Sequence, residues 1–354
     1  MKGLAAYGWS AFFADAFEGH AAPGMVPARV TAVHTQLSRL WAPEGDFLGE
    51  VSGRLRHEAA NPAEFPVVGD WVVMAPNPGA ERATIHAVLP RRGRLARKVV
   101  GAVTGEQVLA ANLDTLFLVA GLDGDFNPRR LERALVMARD SGAEPVLVLS
   151  KADLCPDIEA RVAEVQALAP EASVLALSAR EGQGLEALER WLRPAQTVAL
   201  IGSSGVGKST LLNRLLGQER QRVLEVRAGD SRGRHATSHR EMFLLAGGAL
   251  VVDTPGLREL QLWAEEEDLE TTFDDIASLA VACRFTNCRH QAEPGCAVNV
   301  ALARGDLPAE RLLSYRKLEA ELAHLDRQKD VRKQLEQKAR WKAIHKALRK
   351  DHKR

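Results

Sequence analysis

The chain has 354 residues, 28 of them glycine and 4 cysteine, and 47 Lys+Arg against 46 Asp+Glu leave a formal charge of +1. An apolar fraction of 46% and a charged fraction of 26% exclude a disordered, collagenous or coiled-coil protein, and the length suffices for two or three domains. The longest apolar stretch, Phe243 to Val252, is about half a membrane span, and Asp15 and Glu18 interrupt the apolar block a signal peptide needs, so a cytoplasmic protein without membrane contact is expected. The cysteines are too few for a disulfide scaffold, and three of the four fall between 283 and 296.

Residues 1–25 read as an N-terminal extension. Over 26–90 the short β-rich runs VPARVTAV, DFLGEVSG, PVVGDWVVM and ATIHAVL, separated by Pro, Gly, Asn and Asp, predict a small five-stranded barrel. An oligonucleotide/oligosaccharide-binding (OB) type fits the length, and the pattern does not separate it from an SH3-like barrel. A basic linker, 91–106, carries Arg91, Arg92, Arg94, Arg97 and Lys98. From 107 to 260 the runs DTLFLVAGL, EPVLVLS, ASVLALS, TVALIG and ALVVDT alternate with helical patterns such as PRRLERALVMARDSG and GLEALERWL, the signature of a parallel sheet covered by helices. Residues 261–325 read as a helical domain holding the cysteines, with acids at Glu265 to Asp268, Glu270, Asp274 and Asp275. The basic tail, 326–354, follows; from Val331 onward ten Lys/Arg stand against two acids, a net +8 that leaves the rest at −7. Such asymmetry points to a polyanionic partner.

Gly202-Ser203-Ser204-Gly205-Val206-Gly207-Lys208-Ser209, followed by Thr210, is a full G-x-x-x-x-G-K-[ST] match between a strand and a helix. Its backbone N–H groups would enclose phosphates, Lys208 would reach the β/γ oxygens and Ser209 would ligate Mg²⁺. Asp253-Thr254-Pro255-Gly256 ends the strand ALVVD, with Asp253 placed for the Mg²⁺ shell and Gly256 for the γ-phosphate. Between them, Gly233 to His239 reads as a mobile switch loop whose Thr237 closes on Mg²⁺ and the γ-phosphate. The guanine motif that normally follows is absent there. Ser150-Lys151-Ala152-Asp153 and Ser178-Ala179 stand instead at two strand ends upstream of the phosphate loop, and the Asp153 carboxylate can accept from guanine N1–H and the exocyclic amine together. The order is base, base, phosphate, switch I, switch II: a circular permutation.

Cys283-x4-Cys288-x-His290-x5-Cys296 places three thiolates and one imidazole within fourteen residues, a donor set for one closed, structural zinc site. Cys155 reads as an ordinary thiol.

This combination resembles the bacterial ribosome small-subunit-dependent GTPase A family (RsgA, also called YjeQ). The resemblance runs from about Val26 to Leu325 and is carried by Val68-Gly69-Asp70-Trp71-Val72, Ala111-Asn112-Leu113-Asp114, the permuted motifs and Cys283-Arg284-Phe285. It implies a multidomain α/β fold, with an OB-type barrel, a circularly permuted P-loop GTPase domain and a C-terminal helical zinc-binding domain. It further implies a monomeric GTP hydrolase that binds the small ribosomal subunit and its rRNA, and acts in late subunit maturation with hydrolysis stimulated by the subunit. Ser150 stands where many GTPases have Asn or Thr. Leu257 follows Gly256 where Ras-like GTPases place the glutamine that orients water, so intrinsic hydrolysis is expected to be slow, with His235 or His239 as candidates for that role. The alternative reading is a GTP-regulated RNA-binding module with little hydrolysis; a P-loop enzyme acting on a small molecule is disfavoured by the base loop.

Overall fold

β-branched runs broken by Gly and Pro cannot sustain a helix, and between residues 26 and 88 they form five strands: β1 (Val26–Val33), β2 (Ser38–Ala42), β3 (Gly45–Val51), β4 (Trp71–Pro76) and β5 (Arg82–Val88). A computed structural model describes residues 3–34, 37–79, 81–99, 105–123, 126–203, 205–217, 240–253, 269, 272–291 and 293–320. The strands close as β1-β2-β3-β5-β4-β1, with β3 and β5 parallel and the other neighbours antiparallel. That Greek-key closure is of the OB type, which settles the choice the pattern left open. β2 is missed by the sequence reading because it is short and holds Ser38 and Arg39. The run PVVGDWVVM becomes strand only at Trp71; its first half is a turn.

That turn fixes the barrel to its neighbours. Gly69 has φ +93, and a Cβ there would lie 2.1 Å from the Ala111 carbonyl, so only glycine permits the approach. Asn112 donates from Nδ2 to the Gly69 carbonyl at 3.0 Å and accepts at Oδ1 from the Arg92 amide at 2.8 Å. Asp70, fully buried, is held by Arg91 through two 2.7 Å bonds; burial pushes its carboxyl up, and the Arg91 guanidinium opposes that rise. In the N-terminal extension, α1 (Ala11–Glu18) buries Phe13 against Trp71, and Trp9 meets the same indole edge-on at 4.6 Å.

The stretch read as a linker is a two-stranded antiparallel ribbon, β6 (Arg94–Val99) and β7 (Gly105–Ala111). Its arginines are engaged within the chain: Arg91 with Asp70, Arg92 with Asp114, Arg94 with Glu106, and Arg97 with the Gln107 amide oxygen. Ion pairing therefore compensates much of the basic cluster counted in the sequence.

The alternating segment folds as expected into β8 (Thr115–Gly121), β9 (Glu144–Ser150), β10 (Ser173–Ala176), β11 (Thr197–Ile201), β12 (Glu241–Leu244) and β13 (Leu250–Asp253). In the order β10-β9-β8-β11-β13-β12 all are parallel except β12, which pairs antiparallel with β13. Helices α3 (Pro128–Asp140), α4 (Ile158–Leu168) and α5 (Lys208–Leu216), numbered after the short α2 (Gly53–Glu58) of the barrel, supply crossovers, and apolar layers lie on both faces of the sheet. The run GLEALERWL, expected as a helix, gives only a single 3-10 turn, Leu185–Leu188. Gly184 at φ +73 bends the chain at its start, and Leu188 and Trp191 cover the sheet without a longer helix, with Trp191 Nε1 donating to Glu144 at 2.9 Å.

Barrel and sheet are joined in one eleven-stranded array because β1, after a register shift between Val30 and Ala32, meets β12 at Ala32↔Glu241. Below that junction the fully buried Arg29 donates to the Tyr7 carbonyl at 2.8 Å, the Asn112 carbonyl at 3.3 Å and Thr197 Oγ1 at 3.2 Å, reaching the foot of β11. Burial lowers its pKa to about 10.

The chain divides into two compact units, 1–99 with 105–261 and 262–354 with 100–104. In the second, the helices Asp274–Ala280 and Ala297–Arg304 and helical residues 309–320 bury Phe273, Ile276, Val298 and Leu312. Arg311 grips Asp275 through two 2.9 Å bonds and lies over the Phe273 ring at 4.4 Å. Among the described residues no helix is long and apolar enough to cross a membrane.

Candidate functional site

The carboxyl ends of β8, β9, β10, β11 and β13 lie side by side, where ligands of open α/β sheets bind. At the end of β11, Gly202, Gly205 and Gly207 have φ of +159, +83 and +93. A Cβ on Gly202 would stand 2.2 Å from the Val119 carbonyl of β8, so the loop is pressed against the neighbouring strand. Gly207 then opens α5, whose first turn carries Lys208, Ser209 and Thr210; its free N–H groups and dipole favour an anion. Lys208 Nζ is folded inward onto the carbonyls of Gly202 (2.7 Å) and Ser203 (2.6 Å). Burial lowers its pKa to about 8, against the pull of Asp253. Asp253 ends β13 level with Leu200 of β11, which brings the expected Mg²⁺-shell acid to the phosphate loop.

The two base loops converge from the other side. Ser150 ends β9, and its hydroxyl lies between the Val206 carbonyl (2.5 Å) and the Ala120 carbonyl (3.1 Å), so the short side chain still ties base loop to phosphate loop. Lys151 adopts φ +58 and its amine meets Asp123 at 2.5 Å. Asp153 follows in an exposed 3-10 turn. The second loop is fastened to the first by Ala152 N–H donating to the Leu177 carbonyl at 3.1 Å, and is closed by reciprocal Ser178–Gln183 bonds of 3.0 Å. Ser178 and Ala179 are buried.

Of the remaining expected residues, Ser204, His235, Thr237, His239, Gly256 and Leu257 lie outside the described residues, as does the tail 326–354. Sequence reasoning missed Asp123, which receives Lys151, and Arg214 of α5, which donates to the carbonyls of Ala179 and Arg180 at 3.0 Å each. Neither sits in a motif.

In the second unit Cys283, Cys288, His290 and Cys296 offer four donor atoms within 4.8 Å of one another. Cys283 Sγ to Cys296 Sγ is 3.9 Å, and His290 Nδ1 is 3.6 and 3.5 Å from those two sulfurs. Ligands about 2.0–2.3 Å from a central ion stand about 3.5–3.8 Å apart on a tetrahedron, so the cluster has the size of a metal site. His290, at φ +57, presents Nδ1, and its carbonyl accepts from Arg316. Burial pushes the Cys288 thiol up to about 11 and the His290 imidazole down; a cation would displace thiol protons on binding.

A phosphate loop entering the middle of the sheet, with both base loops preceding it in the chain, defines a circularly permuted P-loop GTPase. The RsgA GTPase family pattern matches residues 88–263. The small ribosomal subunit biogenesis GTPase RsgA of Opitutus terrae is 49% identical over 98% of this chain and 97% of its own length, and that of Syntrophotalea carbinolica 45% identical over 95% and 94%. YjeQ of Thermotoga maritima superposes with a TM-score of 0.63 at 26% identity, covering 84% of this chain and 99% of that one. YloQ, described as a circularly permuted GTPase, shares the fold at a TM-score of 0.58 and 24% identity, covering 85% and 96%. The chain belongs to the RsgA GTPase family and is a GTP-hydrolysing enzyme.

Proposed function

We propose that this GTPase binds the small ribosomal subunit, is stimulated by it to hydrolyse GTP to GDP and phosphate, and leaves in the GDP state during late subunit maturation. The observation that carries the proposal is the 49% identity to a small ribosomal subunit biogenesis GTPase over 98% of the chain, a match that spans barrel and cysteine cluster as well as the nucleotide motifs. We divide the chain as a 1–25 extension, 26–90 barrel, 91–106 basic connection, 107–260 G-domain, 261–325 zinc-binding domain and 326–354 tail.

Gly202 to Thr210 bind the phosphates, with Lys208 stabilising charge that develops on the transferred group. Ser150, Lys151, Asp153, Ser178 and Ala179 hold guanine. Mg²⁺ accompanying GTP neutralises phosphate charge when bound; Ser209, Asp253 and Thr237 would hold it. Gly256 approaches the γ-phosphate, and His235 or His239 supplies the water-orienting role that Leu257 cannot. Cys283, Cys288, His290 and Cys296 hold one structural zinc ion, a reading supported by the soft donor set, all within 4.8 Å, and by the 3.5–3.9 Å spacings among Cys283, His290 and Cys296. The protein works in the cytoplasm as a monomer.

Steady-state GTP turnover with purified small subunits, large subunits or neither tests the proposal. Strong stimulation by the small subunit alone is expected; equal rates in all three would overturn it and favour a GTP-regulated RNA-binding module.

A further inference from the structure

We propose that Arg214, on the last turn of the phosphate-binding helix α5, is a positioning residue for base recognition, holding the Ser178–Gln183 loop in the conformation that reads guanine. The inference rests on reading the site as a guanine-nucleotide site. Arg214 Nε donates to the Ala179 carbonyl and Nη2 to the Arg180 carbonyl, both at 3.0 Å. A planar guanidinium thus spans two successive carbonyls of one loop from a different element, with its two donors held in a fixed relative orientation that a freely rotating ammonium lacks.

The consequence follows from peptide planarity. In a trans peptide the C=O and the next N–H point in opposite directions, so fixing the Ala179 carbonyl aims the Arg180 N–H. The Ser178 carbonyl accepts from Gln183 N–H at 3.0 Å, which in the same way aims the Ala179 N–H. The amides of Ser178 and Glu181 are used inside the loop, at 3.0 and 3.2 Å, whereas those of Ala179 and Arg180 have no partner among the described residues. Two donors are therefore left oriented for an acceptor, the chemistry of the guanine carbonyl oxygen. Beyond those internal bonds the loop contains two glycines, Gly182 and Gly184, at φ of +77 and +73, and Arg180 and Glu181 are exposed.

Arg214 also couples the two ends of the nucleotide. It lies six residues beyond Lys208 on one helix, about 9 Å along the axis, so the element that carries the phosphate ligands also sets the second base loop. The first base loop is tied to the phosphate loop separately, through Ser150 and the Val206 carbonyl.

The test compares Arg214→Ala and Arg214→Lys with the native protein by calorimetric titration of GDP and of pyrophosphate in the presence of Mg²⁺, and by GTP kinetics. Arg214→Ala is expected to raise the GDP dissociation constant and KM for GTP about five- to tenfold, the loss of one or two net hydrogen bonds. The pyrophosphate constant and kcat should stay within about twofold, with Arg214→Lys intermediate. Pyrophosphate binding weakened in parallel with GDP would make Arg214 a merely structural support of α5 and overturn the inference, as would unchanged GDP binding. If the native protein binds ADP as well as GDP, the guanine-site reading itself falls, and the inference with it.

Discussion

On the proposed reading, filling the phosphate loop would take the Lys208 amine off the carbonyls of Gly202 and Ser203 and onto phosphate oxygens. With its amine turned onto two carbonyls and half-buried, its pKa is lowered from 10.5 to about 8, which corresponds to a penalty on the order of 3 kcal/mol for keeping the charge in the folded, ligand-free protein. For a lysine with a lowered folded-state pKa the penalty is fully present below pH 8 and fades as pH rises toward 10.5. Two consequences follow. Lys208→Met, which removes the charge at similar length, should stabilise the ligand-free protein by about 1–3 kcal/mol in urea unfolding at pH 7 while abolishing tight GDP binding. If, as proposed, the GDP phosphates are held by the protonated amine, affinity should be flat up to pH 8 and weaken by up to about tenfold per unit above it, reaching about tenfold at pH 9. Calorimetric titration of GDP from pH 6.5 to 9.5, with Lys208→Arg, whose charge is constant over that range, as the baseline that carries the nucleotide's own ionisations, measures this. A native curve parallel to that baseline, together with a Lys208→Met protein less stable than native, would refute the reasoning.

Gly69→Ala forces a Cβ to 2.1 Å from the Ala111 carbonyl at φ +93, and should cost about 2–4 kcal/mol in thermal unfolding. Gly24→Ala, at φ +82 with nothing within 4 Å, should cost only about 1 kcal/mol. Arg91→Ala leaves Asp70 buried without its partner and should destabilise by about 3–5 kcal/mol at pH 7. The deficit should shrink as pH falls, because burial raises the Asp70 carboxyl and loss of the opposing guanidinium lets it take up its proton sooner in the variant; urea midpoints across pH check this. Elemental analysis should find one zinc per chain, lost in Cys288→Ala, while GDP affinity stays within about twofold; loss of GDP binding would show that the two units are not independent.

What the sequence made legible was local. The phosphate loop, the Cys/His cluster and the two loops proposed to hold the base are short strings, so their residue types and spacing could be read without the fold. The ties between strings were not legible, because their partners are far apart in the chain. Arg29 meets Thr197 across 168 positions, Arg214 meets Ala179 across 35, and Lys151 meets Asp123 across 28. The cluster Arg91 to Lys98 misled for the same reason. Asp70 and Asp114, which pair with Arg91 and Arg92, lie 21 and 22 residues away, so a count of charge along the chain overstated what is free to meet RNA. The helix expected over GLEALERWL failed because its apolar spacing suits a helix or a loosely wound cover equally, and Gly184 decides for the latter.

An open α/β sheet has two raw edges, each a row of unpaired amides and carbonyls that can recruit another strand. Here the β12 edge is met by the barrel through Ala32↔Glu241 and the Arg39–Glu241 ion pair, leaving the four-residue β10 at the other margin. The barrel thus covers an edge of the GTPase sheet as well as being a domain beside it. A fragment beginning at residue 91 would uncover β12 and remove the Arg29 contact to Thr197 at the foot of β11, so the isolated GTPase segment should self-associate more readily than the whole chain, as sedimentation of the two would show.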